Sequence, residues 1–198
     1  MSEYSRNPVV QSEMLPVDIV FHPSWWNKHA GISFDEDFFY HPLKRVESEQ
    51  KMEKALYDRF GKYRLGGDKD KELPIIGAVH NAAGFIISEM LGCKVEYIED
   101  SAPQVIQSNN DELSIDPAEA FNSRVFKNIM SLCDVLKGKY GYLQGDINWG
   151  GVLNTALDLY GEKLFLEFFE MPEAVQKYFI DISAVIERFL LFLSQETG

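Results

Sequence analysis

Apolar positions along the chain alternate between short runs with strand character and longer stretches with a helical period. The first run, Val17-Asp18-Ile19-Val20-Phe21, is β-rich and ends at His22-Pro23. A loop rich in aromatics follows, with Trp25, Trp26, Phe34, Phe38, Phe39 and Tyr40. Pro42 suits the first turn of a helix, and Leu43, Val46, Met52, Leu56 and Phe60 continue it in mostly three- to four-residue steps as far as Gly61. Ile75-Ile76-Gly77-Ala78-Val79 is a continuous apolar run, as expected of a strand covered on both faces. A short helix from Ala82 to Leu91 then stops at Gly92.

Lys94-Val95-Glu96-Tyr97-Ile98 alternates, and Gln104-Val105-Ile106-Gln107 is placed to pair with it as a hairpin outside the main sheet. Asp116-Pro117 reads as a cap and first turn. Val125, Ile129, Leu132, Cys133 and Leu136 mark one face of the helix that follows, up to Gly138. A strand at Gly141-Tyr142-Leu143-Gln144 closes on Gly145-Asp146, and a helix runs from about Val152 to Tyr160. Pro172 starts the clearest element, whose apolar positions hold the 3.6-residue period from Val175 to Leu193.

This order is the α/β alternation of a parallel sheet. Three strands, near 17–21, 75–79 and 141–145, read as core parallel strands, whereas a (β/α)₈ barrel needs eight. The expectation is a partial (β/α)₈ TIM barrel: three βα units plus an external β-hairpin. Residues 1–15 form an N-terminal arm and residues 16–198 the barrel portion.

The net charge of -12 disfavours nucleic acid and anionic membrane surfaces as partners, and no basic stripe interrupts it. The N-terminus carries no secretory h-region, and the most apolar stretch, near Phe189 to Leu193, is too short to span a bilayer. Cys93 and Cys133 stand 40 positions apart inside apolar patterns and read as reduced core thiols. The cytoplasm is the compartment these features imply.

In a barrel, chemistry sits at the carboxyl ends of the strands, because rigid strands aim several side chains at one point. Those ends carry His22 after the first strand, His80 and Asn81 after the second, and Gln144, Asp146 and Asn148 after the third. His80 is the catalytic candidate, since a near-neutral pKa suits acid, base or ligand roles. The competing reading for each histidine is a turn cap. His41, just before Pro42, reads as a surface or capping residue. His29 and Lys28 lie in the aromatic stretch, where Trp25, Trp26 and Trp149 either line a pocket or fill the core. No HxC, CxxC or HExxH metal spacing is present, and no P-loop, GxGxxG or GxSxG.

Four segments in order resemble the uroporphyrinogen decarboxylase family. Trp26-Asn27-Lys28-His29-Ala30-Gly31 resembles the (M)RQAGR segment after the first strand. Glu89-Met90-Leu91-Gly92-Cys93-Lys94-Val95-Glu96-Tyr97 is similar to the family's LGC-V helix-to-hairpin stretch, followed by Pro103-Gln104-Val105. The GD-NWGG core within Gly141 to Ala156 matches a family strand and loop in position, and Met171-Pro172-Glu173-Ala174-Val175 resembles the start of the next helix. Two departures matter. Lys28 and Ile32 stand where the decarboxylases place two arginines, and His80 stands near the aspartate that ends the second strand. An octacarboxylate needs cationic partners, so uroporphyrinogen itself is disfavoured as substrate.

The resemblance therefore points to the cobamide-dependent methyltransferase branch, which takes methyl groups from small methylated substrates through a corrinoid protein. It implies His22, Trp26, Lys28, His29, Asn81, Gln144, Asp146 and Asn148 as substrate- or cofactor-binding residues. It implies no cofactor within this chain, with cobamide and zinc belonging to a full-length enzyme. Decarboxylation of a tetrapyrrole or other carboxylated substrate is the alternative within the family. A non-catalytic half-barrel acting by self-association is the alternative outside it. The chain stops at Gly198 before a next strand, so the face of Phe179, Ile182, Ile186, Phe189, Leu190 and Leu193 is expected to lack part of its cover and to favour a homodimer.

Overall fold

The computed structural model describes residues 19–77, 84–108, 110–146 and 150–197. Pro23 and His22 set its first helix. The proline ring presets a helical φ at the first position, and His22 Nδ1 accepts the Ser24 N–H at 3.2 Å. Helix α1, Pro23–Ala30, ends at Gly31, which takes the left-handed φ of 64° and returns its N–H to Asn27 O. Asp35 caps α2, Glu36–Tyr40, through Phe38 N–H, and His41 caps α3, Pro42–Phe60, through Lys44 N–H.

This corrects the expected N-terminal strand and loop. Residues 19–22 carry no strand structure, and the aromatic stretch is two helices. Phe21 stacks near Trp25, Trp26 and Phe60 and so seals the α1–α3 contact, while Val17 and Asp18 of that run lie outside the described residues.

Strand β1, Ile75–Gly77, follows α3, then helix α4, Ile86–Met90. β2, Lys94–Glu96, and β3, Gln104–Ile106, form the antiparallel hairpin expected at 94–107, with Val95 opposite Val105. The expected helix after Asp116 is broken in two. α5, Pro117–Ala120, stops, and Ser123 Oγ caps a fresh start by accepting Phe126 N–H, giving α6, Arg124–Tyr140. Gly141, at φ 75°, ends α6 and occupies the position where the strand was expected to begin. Strand β4, Gln144–Asp146, therefore starts three residues later. It runs parallel to β1 in the register Ile75↔Gln144, Ile76↔Gly145, Gly77↔Asp146.

Helices α7, Gly151–Tyr160, α8, Leu164–Glu170, and α9, Pro172–Thr197, complete the order. α9 buries Val175, Tyr178, Ile182, Val185, Ile186, Phe189 and Leu193 at the expected three- and four-residue steps, against α5, α7, α8 and β4. Of its predicted face, Ile182, Ile186, Phe189 and Leu193 are buried, whereas Phe179 and Leu190 are half-buried. The large apolar side chains it leaves exposed are Ile180 and Leu191. α8 had no counterpart in the sequence reading.

The fold is mixed α/β. Among the described residues the strands form two two-stranded sheets and close no barrel. None of the described helices is long and apolar enough to cross a membrane. One core joins α1 through α9, with Ile76 of β1 and Leu143 before β4 inside it.

Candidate functional site

Parallel register brings two carboxyl ends together: Gly77 closes β1 directly opposite Asp146, which closes β4. The segments leaving these ends, 78–83 and 147–149, contain His80, Asn81 and Asn148, which lie outside the described residues. Gln144 is half-buried at the start of β4 opposite Ile75, so it is two residues short of the carboxyl end. Asp146 sits at that end by its backbone pairing.

The N-terminal candidates sit elsewhere, on α1. His22 is its cap, with Nδ1 also 2.8 Å from Ser24 Oγ. Trp26 is buried in the core, whereas Lys28 and His29 are exposed in the last turn, where positive charge suits the helix dipole. His29 lies 4.9 Å from the Trp25 ring, and Arg59 Nη2 donates to its backbone carbonyl. Its pKa is lowered, first by loss of solvent and then by the charges of Arg59 and Lys28. His29 is thereby biased toward the neutral ring, with lone-pair capacity at neutral pH.

One residue that sequence reasoning missed touches the strand end directly. Arg45 of α3 is completely buried. Its Nη1 donates to Gly77 O at 3.0 Å, its Nε donates to Glu49 Oε1 at 2.8 Å, and its guanidinium lies 4.5 Å from the Phe38 ring centroid. Among the described residues its Nη2 has no hydrogen-bond partner. A buried arginine is rare unless paired, and here the i,i+4 glutamate pairs it. That spacing, Arg45 and Glu49 beside the apolar Val46, was the signal available in the sequence. One turn further on, Glu53 has its pKa raised, first by burial and then by the charge of Glu49.

A second polar cluster also escaped the sequence reading. Tyr40 and Tyr97 both donate to Glu89 Oε2, at 2.7 and 3.1 Å. Burial raises the Glu89 pKa against the pull of these two hydrogen bonds, and burial together with that carboxylate lifts both tyrosines well above the phenol range. A third group ties α4 to α7: Ser88 donates to Asp158 Oδ2 at 2.6 Å, while Ser108 donates to Cys93 Sγ at 3.3 Å and to Asp158 O through its N–H. These partners are dispersed along the chain, and no spacing in the sequence announces their pairing.

Among the described residues, no group of three or more histidine, cysteine, aspartate or glutamate side chains could hold a metal ion. Comparison with protein-family models, with curated proteins and with solved structures finds no match. What the described residues show is the paired carboxyl ends of β1 and β4, backed by a buried guanidinium on Gly77 O.

Proposed function

We propose that this chain forms one wall of a small-molecule site in a uroporphyrinogen decarboxylase-like (β/α)₈ barrel, from the branch that moves methyl groups to a corrinoid. The observation that carries the reading is the parallel register of Gly77 and Asp146, because open and closed α/β sheets bind ligands outside the carboxyl ends of their strands. The hairpin β2–β3, standing apart from that sheet, agrees with the external hairpin the resemblance implies.

In this reading His80, Asn81, Asp146 and Asn148 face a small methylated substrate. His80 is the group that takes or gives a proton at neutral pH. A full-length enzyme of this branch would supply a cobamide as methyl acceptor, which the strand-end residues of this chain would contact beside the substrate, and zinc would supply activation of a thiol from outside this chain. Arg45 holds the end of β1 in place through Gly77 O.

Calorimetric titration of the chain with methylcobalamin, and separately with uroporphyrin as a stable octacarboxylate, tests the reading. Saturable heat is expected with methylcobalamin only, and His80→Ala or Asp146→Ala should weaken it by about tenfold, the loss of one hydrogen bond. Binding of uroporphyrin alone would move the site to the decarboxylase branch, and binding of neither would remove the tetrapyrrole-related reading.

A further inference from the structure

The exposed apolar surface of the chain is concentrated on α8 and α9. Phe165, Leu166, Phe168, Phe169, Met171, Ile180 and Leu191 are all exposed there, within 27 residues. Part of this surface is continuous. Phe165 packs on Phe168 and Phe168 on Phe179, at centroid distances of 6.4 and 5.7 Å. Two shallow grooves run along α9. One is lined by Phe168, Val175, Phe179 and Ile180, the other by Val152, Ile186, Leu190 and Leu191, and Ser183 borders both.

We infer that this strip is an isologous interface for a second copy of the same chain, with α9 packing antiparallel on α9. The argument is one of shape and area. Ile180 and Leu191, 59% and 57% exposed, project as two knobs from nearly the same side of the helix, since 11 residues make about three turns. Each knob borders one groove. In an antiparallel pair centred between Val185 and Ile186, Ile180 of one copy meets the Leu191 groove of the other, and the reverse contact follows from the two-fold axis.

Small residues then occupy the middle of the crossing. Glu187, which borders the Leu191 groove, falls opposite Ala184 of the second copy, and Ser183 opposite Arg188 of the second copy. The seven exposed side chains, half or more open on average, offer roughly 700 Å² of apolar surface, near the ~800 Å² per partner of a standard interface. The inference is independent of the strand-end reading, since it uses none of those residues.

Sedimentation equilibrium on the intact chain at low micromolar concentration should give a dimer. Ile180→Glu and Leu191→Glu should each raise the dissociation constant by at least ~100-fold with unchanged circular dichroism and melting, because both side chains are already exposed. Because each chain carries a net charge of -12, dimerisation should tighten as salt is raised. Register is read by oxidation: an equimolar mix of Ile180→Cys and Leu191→Cys chains should cross-link, and Ile180→Cys alone should not. The native Cys93 and Cys133 are buried and do not compete. A monomer at high micromolar concentration, a dimer indifferent to both glutamates, or self-cross-linking of Ile180→Cys would each overturn the inference, the first by leaving the grooves to a different partner.

Discussion

Tyr40 Oη donates to Glu89 Oε2 at 2.7 Å across 49 residues of sequence, joining the end of α2 to α4. Tyr97, just past β2, donates to the same oxygen, so one carboxylate holds two helices and the hairpin. Among the described residues the cluster has no buried cation of its own. Arg124, the nearest positive influence, is exposed and 3.7 Å from Glu36.

That arrangement predicts a sign for pH dependence. The folded-state pKa of Glu89 is raised, chiefly by burial, so folding favours its protonated form. Its contribution to stability is greatest below the ordinary carboxylate pKa and declines as pH rises through the raised value. Glu89→Gln keeps an acceptor for both tyrosines without the charge. Its melting temperature relative to the parent should therefore increase from acid to neutral pH. A difference that stays flat, or falls, would show that Glu89 does not titrate in this range. Tyr40→Phe, which removes one charge-assisted bond, should cost about 1.5–3 kcal/mol at neutral pH in urea denaturation.

Arg45 and Glu49 give the second prediction. Replacing Arg45 by Met leaves Glu49, which is mostly buried, without its cation, and should cost about 3–5 kcal/mol. The double replacement Arg45→Met with Glu49→Met should recover much of that loss, because the desolvation penalty leaves with the pair. A double-mutant cycle by urea denaturation measures the coupling. Strictly additive losses would mean that the Gly77 carbonyl contact, not the ion pair, dominates.

Elements whose sequence carries a regular period were legible in advance. β1 and the hairpin were visible as an apolar run and an alternation, and α9 as a sustained helical period. The aromatic stretch misled because its two helices are short and set by caps: His22 and Pro23, then Asp35. The break between α5 and α6 likewise depends on one serine oxygen, and the late start of β4 on the left-handed Gly141. For the site, the meeting of the 75–77 and 144–146 strand ends was readable. Arg45 was not, because a charged residue beside an apolar stripe reads as solvated unless its partner on another element, here the Gly77 carbonyl, is known.

Both thiols should be chemically quiet in the folded chain. Burial pushes Cys133 up to about 12, helped by the charge of Glu196, and burial also raises Cys93 against the hydrogen bond from Ser108. The thiolate is the reactive species, so at neutral pH neither should react readily with a disulfide reagent until the chain unfolds. Thiol titration in buffer and in denaturant should count close to zero and two groups respectively. Rapid native labelling would mean that α6 or the region around Cys93 opens locally.

The final prediction concerns the contact that seats α9 on the sheet. A Cβ built on Gly145 would lie 2.5 Å from Thr197 Cγ2, and Ile76 Cγ1 stands close behind at 3.6 Å. Gly145 is the middle residue of β4 and pairs with Ile76, so the last turn of α9 rests directly over the parallel strand pair. Gly145→Ala should therefore overpack the contact and cost about 1–3 kcal/mol. The strained neighbour is a single methyl, and Thr197→Ser removes it while keeping the hydroxyl that donates to Leu193 O. Adding Thr197→Ser to Gly145→Ala should thus restore most of the stability, whereas Thr197→Ser alone should change little. If the rescue fails, the cost of the alanine lies in the strand backbone and not in the seat of α9, and hydrogen exchange at Gln144 and Gly145 would locate it.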